Sequence, residues 1–87
     1  MNLECATITE QAATFTVVIV PKAVLSDPTT ATRTIQFLER RHFHRPTVLM
    51  ARDERGVPCS YYGRADLALR LRHIPLATLP WRRVALS

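Results

Sequence analysis

Few residues in this chain have a type and spacing that could do chemistry. Cys59 could serve as a nucleophile if His42 or His44 stood beside it as a base, because the thiolate is the reactive form. His42 and His44, within Arg41-His42-Phe43-His44-Arg45, form an HxH pair that could hold a metal with a third ligand such as Cys59. Nothing else is spaced to complete that set, and Cys5 and Cys59 make no Cys-x-x-Cys. There is no glycine-rich phosphate loop, no HExxH and no GxSxG. The seven carboxylates are scattered on turns and helix starts, where solvation and capping account for them. No catalytic residue, metal or cofactor is therefore expected, and a lone Cys in a strand reads as a small hydrophobe.

The arginines are the other chemical signal. Eleven Arg stand against one Lys, and the net charge is +5. All eleven lie in residues 31–87, against four carboxylates there, while residues 1–30 hold Lys22 against three. Guanidinium groups grip phosphate and carboxylate in a bidentate fork. Arg33, Arg40, Arg41, Arg45, Arg70, Arg72, Arg82 and Arg83 are thus the candidate nucleic-acid contacts. GC-rich codon usage produces the same excess with no function attached.

The elements that must position these residues centre on 46–71. Thr47–Arg52 is apolar on both faces and reads as a strand covered on both sides. Asp53-Glu54-Arg55-Gly56 is a turn, with Gly56 free to take φ > 0. Val57–Tyr62 returns as a second strand, at an edge or starting near Pro58, which lacks an N–H. Gly63 opens a helix whose stripe is Leu67, Leu71 and Ile74, ended by Pro75.

Upstream, Asn2–Thr9 alternates weakly and reads as a short edge strand or loose tail. Thr14–Val20, β-branched and aromatic, reads as a central strand. Pro21–Leu25 is a connection. Ser26 or Asp27 then caps a helix, with Pro28 in its first turn, that runs to about His42. Ala31, Ile35, Leu38 and His42 form its buried stripe, opposite Arg33, Gln36 and Arg40. Phe37 falls off the stripe, towards Arg33 and Arg41, as an exposed anchor or a covered flank residue. Residues 75–87 form an extended tail or, over Trp81–Leu86, a last strand.

The chain therefore reads as a single α+β domain over residues 1–87, a small β-α-β-β-α(-β) two-layer sandwich. With the last strand in the sheet, the order is that of ferredoxin-like sandwiches. Pro46-Thr47-Val48-Leu49, the turn at Gly56, Tyr62-Gly63 and Asp66-Leu67 resemble the C-terminal strand–strand–helix half of thioredoxin- and glutaredoxin-like proteins. That resemblance covers about a third of the chain. It implies a cis-proline at Pro46, a helix-leading glycine at Gly63 and a shortened thioredoxin-like fold. Without an attacking thiolate after Thr14–Val20, it implies a redox-inactive relative.

The expected function is a non-catalytic domain that binds another protein or itself through Phe37, Trp81, Val84 and Leu86. The alternatives are nucleic-acid binding through the arginines and a redox-inactive thioredoxin-like adaptor. Tyr61 and Tyr62 alternate faces, so only one could serve an RNA-binding sheet. Dimerisation would suit so small a core. The start MNLECATITE lacks the basic residues of a signal peptide, and no apolar run is long enough to span a bilayer. The expected setting is the reducing cytoplasm, with no membrane partner.

Overall fold

The computed structural model describes residues 2–10 and 13–85. The chain runs β1 (Asn2–Glu10), β2 (Ala13–Ile19), α1 (Lys22–Ser26), α2 (Pro28–Leu38), a π-helical turn (Glu39–Phe43), β3 (Thr47–Arg52), β4 (Pro58–Tyr62), α3 (Ala65–Leu71), a 3-10 turn (Leu76–Thr78) and β5 (Arg82–Ala85). The strands form one five-stranded mixed sheet in the order β4-β3-β2-β1-β5. β2 and β3 are parallel, with Thr16 beside Thr47 and Ile19 beside Met50. The other neighbouring strands are antiparallel.

Alternation along each strand sends side chains to opposite faces. Ala6, Ile8, Phe15, Val17, Val48 and Met50 pack with Leu67 and Leu71 of α3. Cys5, Val18, Val20 and Leu49 pack with Ala31 and Leu38 of α2 and with Phe43. Burying one such large apolar side chain stabilises the fold by about 1.5–3 kcal/mol. Strands apolar on both sides therefore demand cover on both. The two-layer sandwich is corrected to three layers, with α1–α2 on one face and α3 plus the 74–81 segment on the other.

The N-terminal stretch is neither a loose tail nor an edge. β1 is a nine-residue strand between β2 and β5. It adds a strand to the front of the βαββαβ order. The weak alternation of Leu3-Glu4-Cys5-Ala6 hid it, because Glu4 falls between two apolar neighbours.

The expected connection Pro21–Leu25 instead leads into the short helix α1, Lys22–Ser26. Asp27 caps α2, accepting from Thr29 N at 3.0 Å and from Thr30 Oγ1 at 2.8 Å. Ser26 instead donates to Ala23 O at 2.8 Å. α2 stops at Leu38 and continues as the π turn, closed by His44 N donating to Glu39 O at 2.9 Å. The extra residue shifts the phase. Phe43 is buried where His42 was expected, and His42 is half-buried beside it. α3 ends at Leu71, short of Ile74. Ile74, which precedes Pro75, is held by a tighter bond to Leu71 O at 3.2 Å and still packs on the core.

The β3–β4 hairpin forms as expected, with Pro58 at the start of an edge strand. Asp53 shapes its turn: Oδ1 accepts from Arg55 N at 2.8 Å and from Val57 N at 2.9 Å. Gly56 takes φ 80° there. Cys59 sits at a register shift between Ala51 and Arg52, exposed, 3.6 Å from Ala51 O.

Candidate interaction surface

The chemistry-bearing residues are not gathered. Cys59, on β4, lies beside the carboxyl end of β3, whereas His42 and His44 precede the start of β3. At about 3.3 Å per residue the strand separates them by about 16 Å. Among the described residues, no three His, Cys, Asp or Glu side chains are placed together as metal ligands. His42 instead meets Phe37 edge-on, ring centroids 5.3 Å apart. His44 takes the left-handed conformation, φ 54°, that ends the π turn.

The arginines divide between faces. Arg33, Arg40, Arg41 and Arg45 belong to the α2 side, and Arg70 and Arg72 to α3. Arg72 lies 5.6 Å over the Tyr61 ring. Arg45 donates to Phe43 O at 3.2 Å and to Thr7 Oγ1 at 3.5 Å. On β5, Arg82 stands beside Cys5 and Arg83 beside Glu4, so the two project to opposite faces. Glu4 lies between Arg83 at 3.9 Å and Arg52 at 3.8 Å, an exposed trio of small energetic worth. The side chains of Arg33, Arg40 and Arg41 make no hydrogen bond or ion pair among the described residues. They stand about one turn before and one turn after Phe37 on the outside of the helix.

The four residues expected to contact a partner also divide. Phe37 is 44% exposed and lies on the α2 face. Val84, half-buried on the same sheet face, pairs with Leu3. Trp81 packs on the α3 face, and its indole N–H donates to Leu76 O at 2.8 Å, which ties the tail to the core. Leu86 lies outside the described residues.

Phe37 and Leu3 meet in a groove of about 480 Å³, lined also by Val20, Pro21, Val24 and Arg33. Its walls are mostly apolar, and none of its lining residues is acidic. A larger cleft of about 710 Å³ lies at the carboxyl ends of β2 and β3. It is lined by Lys22, Arg52 and Arg55 but also by Asp53 and Glu54, and Asp53 is committed to the turn. Its mixed charge selects no ligand, so the groove is the better candidate site.

The groove exists because the helical layer on this face is narrow. Five strands about 4.8 Å apart span about 19 Å between their outer axes, while a helix is about 10 Å wide. α1 and α2 lie over β3 and its neighbours, and Tyr62 on β4 shares a 2.8 Å hydrogen bond with Thr32 and donates to Pro28 O at 3.4 Å. That anchor holds α2 towards the β4 side and leaves Leu3 and Val84 half-buried. Sequence reasoning found Phe37 and Val84 but missed Leu3 and Val24, whose part depends on β1 lying next to β5.

Comparison with protein-family models, curated proteins and solved structures finds no match to this chain. Among the described residues no helix is long and apolar enough to cross a membrane.

Proposed function

We propose that this chain is a non-catalytic protein-interaction domain whose partner seats in the groove beside Phe37. One observation carries the reading. An exposed Phe stands at the rim of an apolar groove, over a part of the sheet that no helix of the described chain covers. Exposed apolar patches bordered by polar groups mark interaction sites. A redox-inactive thioredoxin-like adaptor would be one form of such a domain. The order β3–β4–α3 supports that form, whereas the peptide bond before Pro46 is trans and lends it no support. Nucleic-acid binding keeps one supporting feature, the three unpaired arginines flanking Phe37. Arg45 is engaged with Phe43 O and Thr7, Arg82 lies apart on β5, and the remaining arginines lie on other faces.

The test is site-specific photo-crosslinking in cells, with Phe37→p-benzoylphenylalanine and the same replacement at Leu69, an exposed α3 residue of the opposite face, as control. A discrete protein adduct is expected at position 37 and not at 69. Nucleic-acid adducts at 37, or no adduct specific to 37, would overturn the reading.

A further inference from the structure

We infer that the groove takes an acidic amphipathic helix from a partner protein, laid over β1 and β5 beside α2. This rests on the interaction reading above and names the partner's chemistry. The two sheet faces are unevenly covered. On the α3 face, α3 and the 74–81 segment together bury Ala6 and Ile8 of β1 and Met50 of β3, and Tyr61 of β4 packs half-buried beside them. On the α2 face the helices bury Val18, Leu49 and, on β1, Cys5, and α2 is hydrogen-bonded to Tyr62, whereas Leu3 and Val84 stay half-buried at the Leu3 end of β1 and on β5. Five strands about 4.8 Å apart exceed the width of one helix by about 9–10 Å, room for one further helix. A helix placed there would complete the layer, with Phe37 as its side wall and Leu3 as its floor, next to Val84, the register partner of Leu3 on β5.

Charge then selects the kind of helix. Arg33 lines the groove, and Arg82 projects to the same sheet face as Val84. Arg40 and Arg41 follow Phe37 by about one turn. The nearest acidic groups on α2 and its flanks are engaged elsewhere: Asp27 in the helix cap, and Glu39, whose Oε1 accepts from Thr47 N at 2.9 Å. A segment with apolar side chains on one face and carboxylates beside them satisfies both floor and rim. A second copy of this chain, docked by the same face around a twofold axis, would bring the Arg33 and Arg82 of both copies into one interface and is disfavoured by like-charge repulsion.

The experiment uses the full chain and a labelled synthetic peptide of about 16 residues, long enough for about 24 Å of helix. The peptide carries Leu at i, i+3, i+4 and i+7 and Glu elsewhere on its flanks. A second peptide has every Glu replaced by Lys. Anisotropy measures binding, and circular dichroism of the mixture measures helix formation. The acidic peptide is expected to bind and gain helix, and the basic one to bind at least about tenfold more weakly. Phe37→Ala should weaken the acidic peptide about tenfold or more. Arg33→Glu should weaken the acidic peptide and strengthen the basic one, a reversal that loss of folding cannot produce. Leu69→Ala should change neither.

Equal binding of both peptides, binding indifferent to Phe37→Ala, or no binding would overturn the inference. So would displacement of the acidic peptide by a single-stranded oligonucleotide, or a Phe37-dependent dimer in sedimentation. A Phe37 crosslink to a protein, combined with no binding of the acidic peptide, would leave the interaction reading standing and remove this one alone.

Discussion

Asp27, Gly63 and Gly56 are single residues whose chemistry sets measurable local stability. The Thr30 hydroxyl and the Thr29 N–H both donate to the Asp27 carboxylate and hold it below its ordinary value of 3.8. The unfolded chain therefore takes up this proton at a higher pH than the folded one. The cap's contribution is present above 3.8 and is lost as pH falls through the lower folded value. Asp66 titrates in the same window: partial desolvation raises it, but the hydrogen bonds and charge of Arg64 outweigh that and lower it. Thermal midpoints against pH for the parent chain and Asp27→Asn should converge below this window, because Asn keeps an acceptor that does not titrate. The two glycines separate backbone strain from crowding. Gly56 has φ +80° and open space around its missing Cβ, so Gly56→Ala should cost about 1 kcal/mol for the left-handed backbone alone. Gly63, φ +149°, lies against β3, where a Cβ would come within 3.3 Å of Thr47 O and Val48 Cα. Gly63→Ala should cost about 1–3 kcal/mol in urea unfolding, the larger of the two losses.

The π turn after α2 decides which side chain enters the core and where β3 begins. Its extra residue brings Phe43 under the sheet, and Glu39, in its first position, holds the N–H of Thr47. Phe43→Ala should therefore cost about 3 kcal/mol, and His42→Ala under about 1 kcal/mol. Continuous α-helical phase to residue 42 would require the reverse order. Denaturant midpoints of the two variants distinguish these registers. The same turn places Arg40, Arg41 and the His42 ring next to Phe37, so the geometry of the candidate surface depends on it.

Across the whole molecule, the two halves of the sheet are unequal. β4 is a guarded edge, with Pro58 at its start and a bulge at Cys59. β5 is a four-residue edge strand that covers β1 only from Asn2 to Cys5. A chain ending at Pro80 would lose both the Trp81 anchor to Leu76 and the cover of that edge. It should unfold at lower denaturant and associate in a concentration-dependent way in sedimentation, through pairing at the bared strand. A truncated chain that stayed monomeric and equally stable would show that β5 contributes little to the fold. The groove lies on this weaker half, where the sheet is wide and the helical cover is narrow.

Local chemistry was legible in the sequence. The strand Thr47–Arg52, the Asp27-Pro28 helix start, the Asp53–Gly56 turn, the edge character of the Pro58 strand and a last strand near Trp81 each follow from residues within a few positions of one another. Tertiary structure decided what depends on distant partners. It inserted β1 between β2 and β5, distributed the cover over both faces, set the Phe43 register and sent Trp81 and Phe37 to opposite sides. It also scattered the arginines that sequence alone could group. Backbone propensity and capping act over one turn or one strand, whereas strand order and layer width are set by which apolar faces find one another across the chain. The groove exists only at that second level, because it is the part of a five-stranded face that α2, tied to Tyr62 of β4, leaves half-covered.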